Sequence, residues 1–232
     1  MYKAQMTVKA NAGASGPHIF AKAGGRQFVL EREADLESLW QEMTEKPSSL
    51  EDERLPYWTE LWPAALVLAD WLCAGKALIA GKKCLDIGCG LGFLTILGDW
   101  LGARMLGMDY EAEALAFCRK NACKNGQNPS FVLMDWRKPA IGRGAFDFIW
   151  GADIMYEARF TAPVADFLAF GLAPSGIVWL ADPCRNFFAK FQDDLRKRGL
   201  VARMALEENT GALYPQPAKI PVRIWEISHR CV

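Results

Sequence analysis

The run Cys84-Leu85-Asp86-Ile87-Gly88-Cys89-Gly90-Leu91-Gly92-Phe93-Leu94 constrains this chain more than any other stretch. A short apolar strand, Lys83–Asp86, ends in three glycines within five residues, and an apolar helical stretch at 92–101 follows. Glycines are needed where the backbone turns left-handed or must approach a ligand closely. A strand that ends in such a loop and opens a helix puts backbone N–H groups and a helix N-terminus at the carboxyl edge of a sheet. That is the geometry of a nucleotide-type cofactor site.

Downstream, β-rich apolar runs alternate with amphipathic stretches, the pattern of a sheet wound with helices. The remaining strands are read at Arg104–Asp109, Ser130–Met134, Phe146–Gly151, Gly176–Ala181, Val201–Glu207 and Val222–Ser228. Helices are read at 111–124, 160–171 and 186–198, and Pro63 suits the first turn of a helix running to Cys73. In 111–124, Ala114, Leu115, Phe117, Cys118 and Ala122 line one face, and Asn125-Gly126 stops it. Asn209-Thr210-Gly211 and prolines 215, 217 and 221 read as a long loop, so the last two strands should run antiparallel. The expected fold is α/β, a Rossmann-like, doubly wound, mostly parallel seven-stranded sheet with an antiparallel last strand, over residues 55–232. Residues 1–54 read as an N-terminal extension, with strands at Lys3–Lys9 and Gln27–Glu31 around a turn-rich Asn11–Pro17 and a helix at Ala34–Lys46.

Composition removes several function classes. Lys plus Arg equals Asp plus Glu at 27 each, so no overall positive field gathers a polyanion, and nucleic acid is not an expected partner. The seven cysteines are scattered without a C-x-x-C pair, and the histidines are only His18 and His229. Neither a disulfide framework nor a metal site is indicated, and a cytoplasmic location is expected. The N-terminus lacks a signal-peptide pattern, and the most apolar stretch, Leu61 to Ala80, is broken by Pro63, Asp70 and Lys76. No membrane association is expected, and the chain is read as a monomer.

Two cofactor classes use a glycine loop of this kind. A dinucleotide site wants a small residue at the last position of G-x-G-x-x-G, where counting from Gly88 or Gly90 finds Phe93 or Thr95. The next strand ends in Asp109, about 20 residues on, where a carboxylate can accept both hydroxyls of a ribose. Taken alone, Asp109 serves equally well as a helix N-cap.

The spacing G-x-G-x-G with Asp86 two residues ahead of it resembles the first motif of the class I, seven-strand S-adenosylmethionine-dependent methyltransferases. The resemblance implies S-adenosyl-L-methionine as cofactor, S-adenosyl-L-homocysteine as product, and no metal. It implies that Asp86, Gly88, Cys89, Gly90, Leu91 and Gly92 surround the methionine end, with Asp109 and Tyr110 at the ribose. Asp135 and Trp136 would meet the adenine, the acid at its amino group and the indole against its ring, and Ala152 would line the same cofactor. Without the other motifs, Asp135-Trp136 reads as a turn acid followed by a core tryptophan.

The fourth core strand ends in Gly151-Ala152-Asp153-Ile154-Met155-Tyr156. Methyltransferases acting on adenine, cytosine or glutamine amides often carry an Asn/Asp-Pro-Pro-aromatic run here. The Asp-x-x-Tyr form instead resembles the protein-lysine methyltransferases of the methyltransferase-like family. That resemblance makes Asp153 and Tyr156 the catalytic candidates, Asp153 orienting an incoming amine and Tyr156 walling its channel. Asp153 as a plain loop cap is the competing reading. The segment Leu55-Pro56-Tyr57-Trp58-Thr59-Glu60-Leu61-Trp62 is similar to that family's Trp-containing lead-in, which implies that Trp58 and Trp62 cover the cofactor. At i and i+4 they could equally be helix-to-sheet packing. After the fifth strand, Arg185 either meets a partner protein or pairs with Asp182.

The resemblance, over about 55–232, implies a methyltransferase with a protein lysine as acceptor. The alternatives are a small-molecule N- or O-methyltransferase, or a catalytically silent S-adenosylmethionine-binding protein. A lysine acceptor must be neutral, and a pKa near 10.4 makes that cost about 4.6 kcal/mol at pH 7. Apolar burial beside a positive sulfonium lowers that cost.

Overall fold

The structure, a computed structural model, describes residues 9–15, 17–34, 56–184, 186–211 and 219–230. Ten strands are described: β1 Asn11–Ser15, β2 His18–Ala23, β3 Arg26–Glu31, β4 Lys83–Ile87, β5 Arg104–Asp109, β6 Ser130–Leu133, β7 Phe146–Ala152, β8 Leu172–Asp182, β9 Leu200–Thr210 and β10 Ile220–His229. The helices are α1 Pro63–Ala74, α2 Lys76–Ile79, α3 Phe93–Trp100, α4 Ala112–Lys124, α5 Thr161–Gly171 and α6 Phe188–Arg196.

Seven strands form one sheet in the order β6-β5-β4-β7-β8-β10-β9. Strands β6, β5, β4, β7 and β8 are mutually parallel, while β10 runs antiparallel to both β8 and β9. The chain therefore starts in the middle of the sheet at β4, winds outward to β6, and returns to β7 on the other side. Reversal of winding between β4 and β7 opens a crevice at their carboxyl ends, where ligands of such sheets bind.

Period-two alternation sends side chains to two separate apolar layers. Cys84, Phe148, Trp150, Trp179 and Ile224 face α1 and α3. Leu85, Ile87, Ile149, Val178, Leu180 and Ile227 face α5 and α6. Trp150 and Trp179 are almost completely buried, and burial of a large apolar side chain stabilises by about 1.5–3 kcal/mol.

The first strands depart from the sequence reading. Asn11–Ser15 is a strand, not a turn, in a three-stranded antiparallel meander β1-β2-β3. Its small and polar residues suggested a turn because β1 is largely exposed and needs no apolar alternation. The tight turn is at Gly24-Gly25, both left-handed, between Ala23 and its partner Arg26. Ile19, Ala21, Phe28 and Leu30 join the same apolar layer as α1 and α3. Residues 1–8 and 35–55, with most of the strand expected at Lys3–Lys9 and of the helix expected at Ala34–Lys46, lie outside the described residues.

At the other end, β10 inserts between β8 and β9, an order that pairing preferences along the sequence do not reveal. Pro221 belongs to β10, opposite Asn209, and not to the preceding loop. Pairing with β8 begins only at Arg223, so one flank of Pro221 needs no ladder N–H.

Candidate functional site

Parallel β4, β5 and β7 bring their carboxyl ends to one edge, which sets Gly88–Gly92, Asp109–Tyr110 and Ala152–Tyr156 side by side. Gly88, Gly90 and Gly92 have φ of 66°, 52° and 85°, the left-handed region that favours glycine. A Cβ on Gly88 would lie 2.9 Å from Ile154 Cγ2, and one on Gly90 would lie 3.4 Å from the carbonyl oxygen of Trp58. The loop is thus flanked by the Asp153 segment on one side and the aromatic lead-in on the other.

Asp109 tethers this loop. Its Oδ2 accepts the Gly90 N–H at 2.9 Å and its Oδ1 accepts the Glu111 N–H at 3.1 Å. The Cys89 N–H adds a bond to Met108 O at 3.0 Å. Burial raises the Asp109 pKa, and the backbone N–H groups oppose that rise. With the Tyr110 N–H as a third backbone donor, the carboxylate keeps acceptor capacity on one side only, which is compatible with a single ribose hydroxyl.

Three expected cofactor contacts have side chains that face inward. Asp86 is 1% exposed and accepts the Thr95 hydroxyl at 2.6 Å. Burial pushes its pKa up to about 7. Cys89 turns its thiol to within 3.6 Å of Cys118 Sγ, and Leu91 packs in the apolar layer. Asp86 therefore acts as a support beneath the loop, and Cys89 and Leu91 offer a ligand their backbone only.

Asp135 is held by Arg137 through its N–H and Nε, both at 2.8 Å, and through an ion pair at 2.6 Å. The Arg137 guanidinium lowers the Asp135 pKa. The adjacent Trp136 stands edge-on to Phe160, with ring centroids 5.6 Å apart. From there an aromatic chain crosses the sheet edge. Phe160 meets Tyr156 at 5.1 Å, Tyr156 meets Tyr57 at 5.0 Å, and Tyr57 meets Trp62 at 5.9 Å.

Tyr156 also hydrogen-bonds the Tyr110 side chain, so the expected ribose strand and the expected acceptor wall are joined directly. Burial, with Tyr110 beside it, pushes the Tyr156 pKa above that of a free phenol. It stays protonated in the neutral range and is no base there.

Trp62 Nε1 donates to Tyr57 O at 3.0 Å. Trp58 is buried against Phe117 of α4, centroids 5.5 Å apart, while its backbone covers Gly90. The ring of Trp58 thus packs against α4, as the packing alternative has it, while its backbone lies over the glycine loop.

Asp153 has φ of 55°, a conformation that Asp tolerates better than most residues, and its N–H donates to Ala181 O at 2.9 Å. That bond ties the end of β7 to the end of β8. Ala152 lies immediately before it as the last residue of β7, partly exposed at the same edge. Arg185 lies outside the described residues. Tyr57, Phe117 and Phe160 are site residues that the sequence reading missed. Tyr57 had a signal in the aromatic lead-in, whereas Phe117 and Phe160 read as ordinary helix residues.

Residues 84–169 match the methyltransferase domain family. Over these residues the chain is similar in sequence to that family, and its fold matches that of solved methyltransferases. It is 29% identical over 161 residues to the electron transfer flavoprotein beta subunit lysine methyltransferase of Xenopus laevis, covering 67% of this chain and 63% of the relative. To protein N-lysine methyltransferase METTL21A of Danio rerio it is 33% identical over 118 residues, covering 47% and 54%. The chain thus spans less than two thirds of either relative's length. The fold also matches the magnesium protoporphyrin IX methyltransferase of Synechocystis PCC 6803, solved with S-adenosylmethionine bound. That match has a TM-score of 0.56 and 22% identity, covering 84% of this chain and 90% of the other. The glycine loop and the carboxyl ends of β4 and β7 all fall within the residues that match the methyltransferase domain family.

Proposed function

We propose that this chain transfers a methyl group from S-adenosyl-L-methionine to the side-chain nitrogen of a lysine in a protein. The observation that carries the reading is the contact between the glycine cradle and the Asp153–Tyr156 segment, with Ile154 lying directly against Gly88. Donor and acceptor sites built from these two segments are necessarily adjacent. The names of the relatives, which are lysine methyltransferases, support the acceptor class.

The residues present fit the cofactor. Left-handed Gly88, Gly90 and Gly92 turn the loop at the crevice with no side chain of their own, and Asp109 keeps acceptor capacity for a ribose hydroxyl beside its three backbone bonds. Gly88–Gly92 would hold the methionine end, Asp109 and Tyr110 the ribose, and Trp136 the adenine ring. S-adenosylmethionine, when bound, supplies an electrophilic methyl on a sulfonium that is displaced in line without a metal. The protein's contribution is to position the nucleophile and exclude water. Asp153 orients the amine through its carboxylate, while Tyr57, Tyr156 and Phe160 wall the approach. The amine sheds its proton to solvent before attack, because a carboxylate is too weak a base to hold it and Tyr156 is already protonated.

The product is methyl-lysine on the protein and S-adenosyl-L-homocysteine. We place the enzyme in the cytoplasm as a monomer, on the scattered cysteines and balanced charge. Incubation of the chain with methyl-labelled S-adenosylmethionine and fractionated lysate tests the reading. Label should enter protein and appear as methyl-lysine after hydrolysis. Label confined to the small-molecule pool refutes the lysine acceptor, and failure to bind the cofactor refutes the enzyme.

A further inference from the structure

The N-terminal meander is fastened to the methyltransferase core by two asparagines of α4. Asn125 Oδ1 accepts the Val29 N–H at 3.0 Å, and its Nδ2 donates to Val29 O at 2.8 Å. One turn earlier, Asn121 Oδ1 accepts the Glu31 N–H at 2.7 Å, and its Nδ2 donates to Glu31 O at 3.1 Å. The spacing match is physical. Residues i and i+4 of a helix rise about 6 Å, and residues i and i+2 of a strand advance about 6.8 Å. Two side-chain amides on one helix face thereby complete the edge of β3 as a neighbouring strand would.

Asn125 Nδ2 donates a second bond within α4, to Asn121 O at 2.7 Å, whereas Asn121 reaches the loop. Fully buried, it also donates through Nδ2 to Leu91 O at 3.0 Å, in the middle of the glycine loop. Cys118, one turn before it on the same helix face, donates its thiol to Gly90 O at 3.0 Å. A trans peptide points its C=O and N–H in opposite directions, so anchoring these two carbonyls sets the planes of two consecutive peptides. The second plane directs the Gly92 N–H onto Cys89 O at 2.8 Å, which closes the loop's turn.

We infer that Asn121 is a positioning residue for the cofactor loop, and that the N-terminal sheet acts through it on cofactor affinity. The inference rests on the reading that the loop binds S-adenosylmethionine. Without the amide, Leu91 O loses its buried partner and the loop must be reordered whenever ligand binds.

Asn121→Ala and Asn125→Ala form a matched pair, since each removes two hydrogen bonds to β3 and one more, to Leu91 O for Asn121 and to Asn121 O within the helix for Asn125. Affinity for S-adenosyl-L-homocysteine is measured by titration calorimetry on the full chain, beside each variant's melting temperature. Loss of one buried hydrogen bond predicts about tenfold weaker binding for Asn121→Ala. Asn125→Ala should bind within about twofold of wild type, although both variants melt earlier. If Asn121→Ala does not stay folded, Asn121→Ser titrated at low temperature makes the same comparison. Equal affinities of the two variants, whether both intact or both weakened, overturn the inference. A wild-type chain that binds no S-adenosyl-L-homocysteine overturns the cofactor reading beneath it, an outcome distinguishable because it appears before any substitution.

Discussion

Replacing Thr95 by Val tests the support under the cofactor loop, because the two side chains have nearly the same shape and differ by the hydroxyl that Asp86 accepts at 2.6 Å. Both residues are buried, so water does not replace the lost donor. The folded-state pKa of Asp86 is raised to about 7, chiefly by burial, against about 3.9 for an unfolded aspartate. A raised carboxylate pKa means that the folded state holds its proton where the unfolded state has released it. Asp86 therefore contributes less and less to stability as pH rises from about 4 to about 7, and is least favourable above that window. At pH 8 the Thr95 hydroxyl bonds a carboxylate, a contact worth about 1.5–3 kcal/mol, and at pH 5 it bonds a neutral acid, worth about 1 kcal/mol. For a domain of this size each kcal/mol moves the melting temperature by about 2–4 °C. Thr95→Val should then melt about 3–12 °C below wild type at pH 8 and about 2–4 °C below it at pH 5, read by circular dichroism. An equal loss at both pH values, or a larger loss at pH 5, refutes the assignment of Asp86 as a buried acid titrating near neutrality.

Gly88→Ala combines a φ of 66° with a Cβ 2.9 Å from Ile154, and left-handed strain of about 1–2 kcal/mol should weaken S-adenosyl-L-homocysteine binding roughly tenfold by calorimetry. Asp153→Asn keeps a residue that tolerates the left-handed backbone, so cofactor affinity should be unchanged while methyl transfer falls at least about 100-fold in a radiolabel assay. Arg32 and Glu60 form a buried ion pair that joins the residue after β3 to the aromatic lead-in, with side-chain exposures of 3% and 7%. Arg32→Met removes the buried guanidinium beside the Glu60 carboxylate and should cost about 3–5 kcal/mol in urea denaturation.

Much of this molecule was legible in the residues. The glycine loop, the alternation of strands and helices and the antiparallel finish all follow from local periodicity, and local periodicity survives folding when each element buries one face. The helix over Pro63–Ala74 and the left-handed glycines at 88, 90 and 92 stand where their residue types placed them. The strand Asn11–Ser15 was not legible, because an exposed edge strand carries no apolar alternation.

The sequence by itself pointed to the class of cofactor site, since three glycines follow a buried strand and Phe93 or Thr95 stands where a dinucleotide loop wants a small residue. Tertiary structure decided which side chains reach the crevice and which turn into the core. Asp86, Cys89 and Leu91 look like contacts in the motif, yet their side chains turn inward because alternate residues of a strand and its loop must fill the core. Long-range pairing decided the rest. The insertion of β10, the ring chain from Trp62 to Trp136 and the grip of Asn121 on Leu91 all join residues far apart in sequence. No local preference records such contacts, because their free energy exists only once the sheet has brought the partners together.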